Sequence, residues 1–181
     1  MNTATQNHFE LFGLPVSYEV DQSTLAEHYR QLQRTVHPDK FANASDQDRR
    51  LSVQRAAQIN EAFQTLKSPI RRARYMLEMR GVEFDDQRDT AMDPAFLMEQ
   101  MELRESLAEI PHSDEGLLKL GSLQDDIQAR VKQLTAELIE LFKNDSDNAM
   151  QQAKVNMHKL QFMDKLQQEA ENIEEDIANA L

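Results

Sequence analysis

Apolar residues return every three to four positions along most of this chain, and nowhere do they alternate with polar ones as a half-buried strand requires. Leu25, Tyr29, Leu32 and Val36 share one helical face. Asp21 or Ser23 can cap that helix. His37-Pro38 must end it, because proline lacks an amide donor and drives the residue before it out of the α region. Leu51, Ala56, Ile59, Asn60, Phe63 and Leu66 predict a second long helix over roughly Asp46 to Leu66. A short apolar element (Phe9, Leu11, Phe12) precedes both and is stopped by Gly13-Leu14-Pro15. Ser68-Pro69 is a cap followed by a first-turn proline, and the helix it starts ends at Gly81. These four helices form one unit over residues 1–80.

Residues 81–92 are polar and acidic (Glu83, Asp85, Asp86, Asp89) and read as a linker. Over 93–181 the helical period resumes. Asp93-Pro94 starts a helix to about Glu109, stopped by Pro111. Ser113-Asp114-Glu115 caps a long helix striped by Leu117, Leu120, Ile127, Val131, Leu134, Leu138 and Leu141. After the polar turn Lys143–Asp147, a last helix carries Met150, Ala153, Met157, Leu160, Met163, Ala170, Ile173, Ile177 and Leu181. Two long stripes near a seven-residue repeat and one shorter helix predict a three-helix bundle. The fold class is all-α: an N-terminal helical-hairpin unit followed by a C-terminal bundle.

Charge separates the same two parts. The net charge is −12, but residues 1–80 hold 11 Lys/Arg against 9 Asp/Glu, whereas 81–181 hold 9 against 23. Two electrostatic characters suggest two partners. Neither part carries the basic footprint of a nucleic-acid binder. The absence of cysteine excludes disulfides, thiolate metal sites and cysteine nucleophiles. Met1 to Gln6 is polar, and no apolar stretch approaches the roughly 20 residues of a membrane span, so a cytoplasmic protein without membrane contact is expected. His8, His28, His112 and His158 lack ligand spacing and read as surface or helix-end residues. The carboxylates Glu171, Glu174, Glu175 and Asp176 read as a solvated helix face. No metal site and no cofactor is expected.

The tetrapeptide His37-Pro38-Asp39-Lys40 stands at the tip of the first helical hairpin. One reading is an ordinary turn, with Asp39 bonding a nearby amide. A catalytic reading would pair His37 with Asp39, but residues two apart in a turn rarely hold that geometry, and no nucleophile accompanies them. The third reading is a recognition loop, and its surroundings favour it. Ile59-Asn60-Glu61-Ala62-Phe63, then Leu66, Pro69, Arg72-Ala73 and Tyr75, stand in the order and spacing of the J-domain family, which residues 8–80 resemble. Leu11-Phe12-Gly13-Leu14-Pro15, the loop with Phe41, Phe96-Leu97-Met98-Glu99-Gln100 and Phe162-Met163-Asp164-Lys165-Leu166 together resemble the HscB branch of that family nearly end to end.

The resemblance implies a co-chaperone rather than an enzyme. It would dock on a DnaK/HscA-class chaperone ATPase, stimulate hydrolysis there, and deliver an IscU-type iron–sulfur scaffold protein. The contact residues it implies for the ATPase are Tyr29, Arg30, His37, Pro38, Asp39 and Lys40. Arg34 joins Arg30 and Lys40 in placing positive charge beside the loop, suited to steering toward an acidic surface. Ala26 and Gln31 stand where typical J-domains carry further basic residues, which weakens the attraction or changes the ATPase partner.

Helix angles add a second candidate surface. At about 100° per residue, Phe96, Leu103, Leu107 and Ile110 fall within some 60° of one another, enough for a core face. Leu97, Met98 and Met101 lie roughly 100–200° away from Phe96, with Glu102 and Glu105 beside them. This second face either packs against another part of the chain or receives a partner, since flexible methionines with flanking carboxylates suit an adaptable contact. Phe162 sits about 160° from Leu160, at the margin of its stripe, and by position alone reads as a lid on the core. The resemblance instead implies that Leu97, Met98, Met101, Glu102, Glu105 and Phe162 bind the scaffold. The alternative function is a general J-domain co-chaperone whose acidic bundle dimerises or binds unfolded chains.

Overall fold

The computed structural model describes residues 6–37, 40, 44–84, 94–111 and 113–180. Among them are seven helices and no strand: α1 (His8–Leu11), α2 (Gln22–Val36), α3 (Asp46–Lys67), α4 (Pro69–Met79), α5 (Pro94–Ala108), α6 (Asp114–Phe142) and α7 (Asp147–Ala180). Two compact units divide them, Met1–Met76 and Leu77–Leu181.

The starts of α1, α2, α3 and α6 are set by a short polar side chain that accepts from an otherwise unpaired first-turn amide, worth about 1 kcal/mol per cap. Asn7 and Glu10 make a reciprocal capping box on α1. Asp21 accepts from the Ser23 amide at 3.0 Å, so Asp21 and not Ser23 caps α2. Ser45 caps α3 through the Asp48 amide, and Ser113 caps α6 through the Gly116 amide. Gly81, with φ of 76°, takes the left-handed conformation that ends α4 and that a side chain would resist.

In the first unit, α1 and α2 both pack on α3. Phe9, Phe12, Leu25, Ile59, Ala62 and Leu66 are buried there. Arg72 is buried among them: its Nη1 donates to the Leu66 carbonyl at 2.6 Å and its guanidinium lies 4.9 Å from the Tyr18 ring. Burial pushes the Tyr18 hydroxyl up to about 12, with the Arg72 charge opposing. The first half of α3 departs from expectation, because Leu51 is 44 % exposed rather than part of a continuous stripe.

In the second unit, α6 and α7 pair and α5 lies on α6. Leu120, Ile127, Leu134 and Leu138 from α6 meet the buried positions of α7 (Met150, Ala153, Met157, Leu160, Met163, Ala170, Ile177), as the repeat predicts. Gly116 is required by close approach, since a Cβ there would overlap the carbonyl oxygen of Pro111. Arg80 donates to the Phe142 carbonyl at 3.1 Å and pairs with Asp145 at 3.1 Å. Lys154 donates to the Glu83 carbonyl at 2.7 Å and lies over the Phe84 ring. Residues 80–84 are therefore fastened to the end of α6, to the turn after it and to α7. The remainder of the expected linker, 85–92, lies outside the described residues.

His8 is the first residue of α1, a helix end as expected, whereas His28 and His158 lie within helices and are half-buried. His8 is half-buried, stacked on Tyr75 at 4.2 Å; His28 Nδ1 donates to the Phe12 carbonyl at 2.6 Å; His158 meets Phe84 edge-on. Each of the three thus sits against an aromatic ring or a carbonyl. His112 lies outside the described residues. Among the described residues, no group of His, Cys, Asp or Glu could hold a metal, and no helix is long and apolar enough to cross a membrane.

Candidate functional site

The first candidate surface is built on the end of α2. His37 is its C-cap, with extended backbone (φ −60°, ψ 133°), as a residue preceding proline must be. The Lys40 amide donates to the His37 carbonyl at 3.0 Å, bringing the ends of the tetrapeptide together. His37 and Lys40 are exposed, while Pro38 and Asp39 lie outside the described residues. Arg30 and Arg34, one turn apart, are both exposed on α2. Tyr29 is half-buried instead, its ring stacked on Phe63 of α3 at 4.0 Å and its hydroxyl donating to Asn60 Oδ1 at 2.9 Å. Among the described residues, α2 and the position just beyond it thus carry three exposed cations (Arg30, Arg34 and Lys40) and one anchored aromatic, a set suited to an acidic surface.

The second surface lies on α5. Its inner face is held at several points. Phe96 is buried edge-on against Phe162 at 5.7 Å, Leu107 is buried, and Glu99 pairs with Arg130 of α6 at 3.1 Å. With that face fixed, the second apolar face points to solvent: Leu97 is 44 % exposed, Met98 64 % and Met101 71 %, with Glu102 and Glu105 exposed beside them. These three large apolar side chains lie next to one another on the helix surface, a contiguous patch rather than a scatter of single residues.

Phe162 does not extend this surface. It is 7 % exposed, with the Arg104 guanidinium 5.3 Å from its ring. It braces the exposed face from beneath by holding Phe96. Arg104 and the Glu99–Arg130 pair went unread in the sequence. Arg104 lies about 80° from Phe96 on α5, so the helix angle could have flagged it; nothing in the sequence links Arg130 to Glu99.

Comparison with known proteins agrees with both halves. The model of the DnaJ domain matches residues 7–75, and that of the HSCB C-terminal oligomerisation domain matches residues 92–171. A co-chaperone protein HscB homolog of Shewanella halifaxensis is 52 % identical over 169 residues, covering 93 % of this chain and 97 % of the relative. The chain belongs to the HscB co-chaperone family. Two solved structures of HscB proteins match its fold. Chaperone HscB from Vibrio cholerae has a TM-score of 0.85 at 41 % identity, covering 94 % of this chain and 99 % of the other. Human co-chaperone protein HscB has a TM-score of 0.80 at 30 % identity, covering 99 % and 84 %. As an HscB-family J-domain protein the chain is a co-chaperone and not an enzyme, and its J-domain implies a partner of the DnaK class.

Proposed function

We propose that this chain brings an IscU-type iron–sulfur scaffold protein to an HscA-type member of the DnaK class and triggers ATP hydrolysis there, assisting the maturation of iron–sulfur proteins in the cytoplasm. The supporting observation is the α5 face: Leu97, Met98 and Met101 stay in water although the opposite side of the same helix is pinned by Phe96, Leu107 and Glu99. An apolar face kept exposed in this way suits a protein client. The division of labour follows as J-domain 1–80, linker 81–92 and scaffold-binding bundle 93–181. Tyr29, Arg30, Arg34, His37, Pro38, Asp39 and Lys40 engage the ATPase; Leu97, Met98, Met101, Glu102 and Glu105 take the scaffold, with Phe162 supporting them. Holding a client on the chain that docks on the chaperone raises the client's effective concentration at its binding site, without any new contact between the two.

Single-turnover ATP hydrolysis by an HscA-type ATPase, measured with this chain in the presence and absence of scaffold, tests the reading. Stimulation by the chain and a further, synergistic stimulation with scaffold are expected. The alternative is a general J-protein whose bundle dimerises or binds unfolded chains, and the description of the C-terminal match as an oligomerisation domain bears on its dimerising part alone. Stimulation that scaffold leaves unchanged, together with dimer in analytical ultracentrifugation, would establish that alternative.

A further inference from the structure

Tyr29 and Gln33 lie one turn apart on α2, and both reach the same atom of α3: Asn60 Oδ1 accepts from the Tyr29 hydroxyl at 2.9 Å and from Gln33 Nε2 at 2.5 Å. The Tyr29 ring is also stacked on Phe63, one turn of α3 beyond Asn60, at 4.0 Å and 20° between planes. Contacts at two levels of α2 resist rotation of the helix about its axis. That rotation sets where the exposed Arg30 and Arg34 point, since they follow Tyr29 at roughly 100° and 140° around the helix. We infer that Asn60 is a positioning residue for chaperone recognition: through one oxygen it fixes Tyr29 and Gln33, and with them the direction in which α2 presents its cations.

Asn60 itself is exposed on α3, so its side chain contributes little to the core and its value lies in orientation. Acceptance through a single oxygen makes a sharp chemical demand. A carboxylate oxygen can take both donors, whereas a methyl group can take neither. The inference rests on the proposed docking role of Tyr29, and the test separates the two. Full-length Asn60→Ala, Asn60→Asp, Tyr29→Phe and Tyr29→Ala are compared in steady-state stimulation of a DnaK-class ATPase at about 0.1 M ionic strength, where charges more than about 10 Å apart are screened and cations at contact with the partner still act. Thermal melts confirm that each variant is folded.

Asn60→Ala is expected to raise the half-maximal concentration about five-fold and leave maximal stimulation unchanged. Asn60→Asp restores the wild-type value. Tyr29→Phe, which keeps the ring and loses the hydroxyl, causes part of the same rise, and adding it to Asn60→Ala causes no further rise. Tyr29→Ala raises the half-maximal concentration more than any of these. An Asn60→Ala variant that docks as well as wild type while Tyr29→Ala docks poorly would overturn the positioning role and leave the docking surface standing. A Tyr29→Ala variant that docks normally would overturn the docking role of Tyr29, and this inference with it. A fall in maximal stimulation without a change in half-maximal concentration would place Asn60 in the trigger and not in positioning, and would also overturn it.

Discussion

Phe162 is 7 % exposed and Met101 71 %, so truncating the two apolar side chains has opposite consequences. Phe162→Ala opens a cavity beside Phe96 and is expected to cost about 3–5 kcal/mol, a fall of more than about 10 °C in melting temperature for a unit this size. Met101→Ala is expected to stay within about 0.5 kcal/mol of wild type. Circular-dichroism melts of both variants check this, and equal losses would contradict the assigned burial. Its angle from Leu160 puts Phe162 at the margin of the stripe, as a lid on the core, and its burial agrees. A seven-residue repeat drifts by about 20° per heptad against an ideal helix, so the buried stripe of α7 rotates along its length. Measured from Met163, Leu166 and Ala170, Phe162 lies only about 40–100° away, inside the local core. His8 carries a second residue-level prediction. Burial against Tyr75 holds its imidazole below the ordinary 6.5, with the Glu61 charge opposing. The unfolded chain then binds the proton more readily than the folded one. Stability rises with pH through the interval between the lowered value and 6.5, and is lost as pH falls through it. Melting temperatures between pH 7.5 and 5 are expected to fall more steeply for wild type than for His8→Phe; parallel curves would show that His8 does not contribute.

At the level of elements, the ends and faces were most legible where one chemical rule acts alone. The cap at Ser113, the choice of Asp21 or Ser23 for α2, and the stop before Pro38 follow from the immediate neighbours of each residue. So does the split of α5 into a core face and an exposed one, because a helix angle needs no knowledge of the partner helix. The first half of α3 was not legible in this way: Leu51 keeps the helical period, yet the described structure offers it no partner to bury against. The Glu99–Arg130 pair was likewise invisible, since it depends on the register between α5 and α6. The exposed face of α5 yields the prediction for this scale. Leu97, Met98 and Met101 changed together to Ala are expected to weaken scaffold binding at least a hundredfold, which corresponds to about 2.7 kcal/mol. Because all three side chains are exposed, the melting temperature is expected to hold. Stimulation of the ATPase without scaffold is expected to survive, and the extra stimulation with scaffold to vanish. Isothermal titration against the scaffold and a melt of the free variant read both quantities. Unaltered affinity would exclude this face as the client site, and a collapse in melting temperature would show it to be core.

Across the whole molecule, a first part of net +2 is joined to a second of net −14, counted on residues 1–80 and 81–181. The positive charge that matters in the first is local: Arg30, Arg34 and Lys40 are all exposed around the end of α2. Exposed charges act mainly on encounter, because water and salt screen them once separation exceeds a Debye length of about 10 Å at 0.1 M. The His37-Pro38-Asp39 loop is proposed to act differently, at close contact, as the trigger of hydrolysis and not as the guide of encounter. Association and triggering are therefore expected to separate in one experiment. Raising the salt from about 0.01 to 0.3 M, over which the screening length shrinks from roughly 30 Å to below 10 Å, is expected to slow association of the full chain with the ATPase by tenfold or more, while dissociation changes little. His37→Gln and Asp39→Asn are expected to keep that salt-dependent association and lose stimulation of hydrolysis, with helix content unchanged. Stopped-flow association and single-turnover hydrolysis on the same preparations read the two steps. Association rates that stay flat with salt would rule out steering by the three cations, and normal stimulation by either loop variant would remove the tetrapeptide from the trigger.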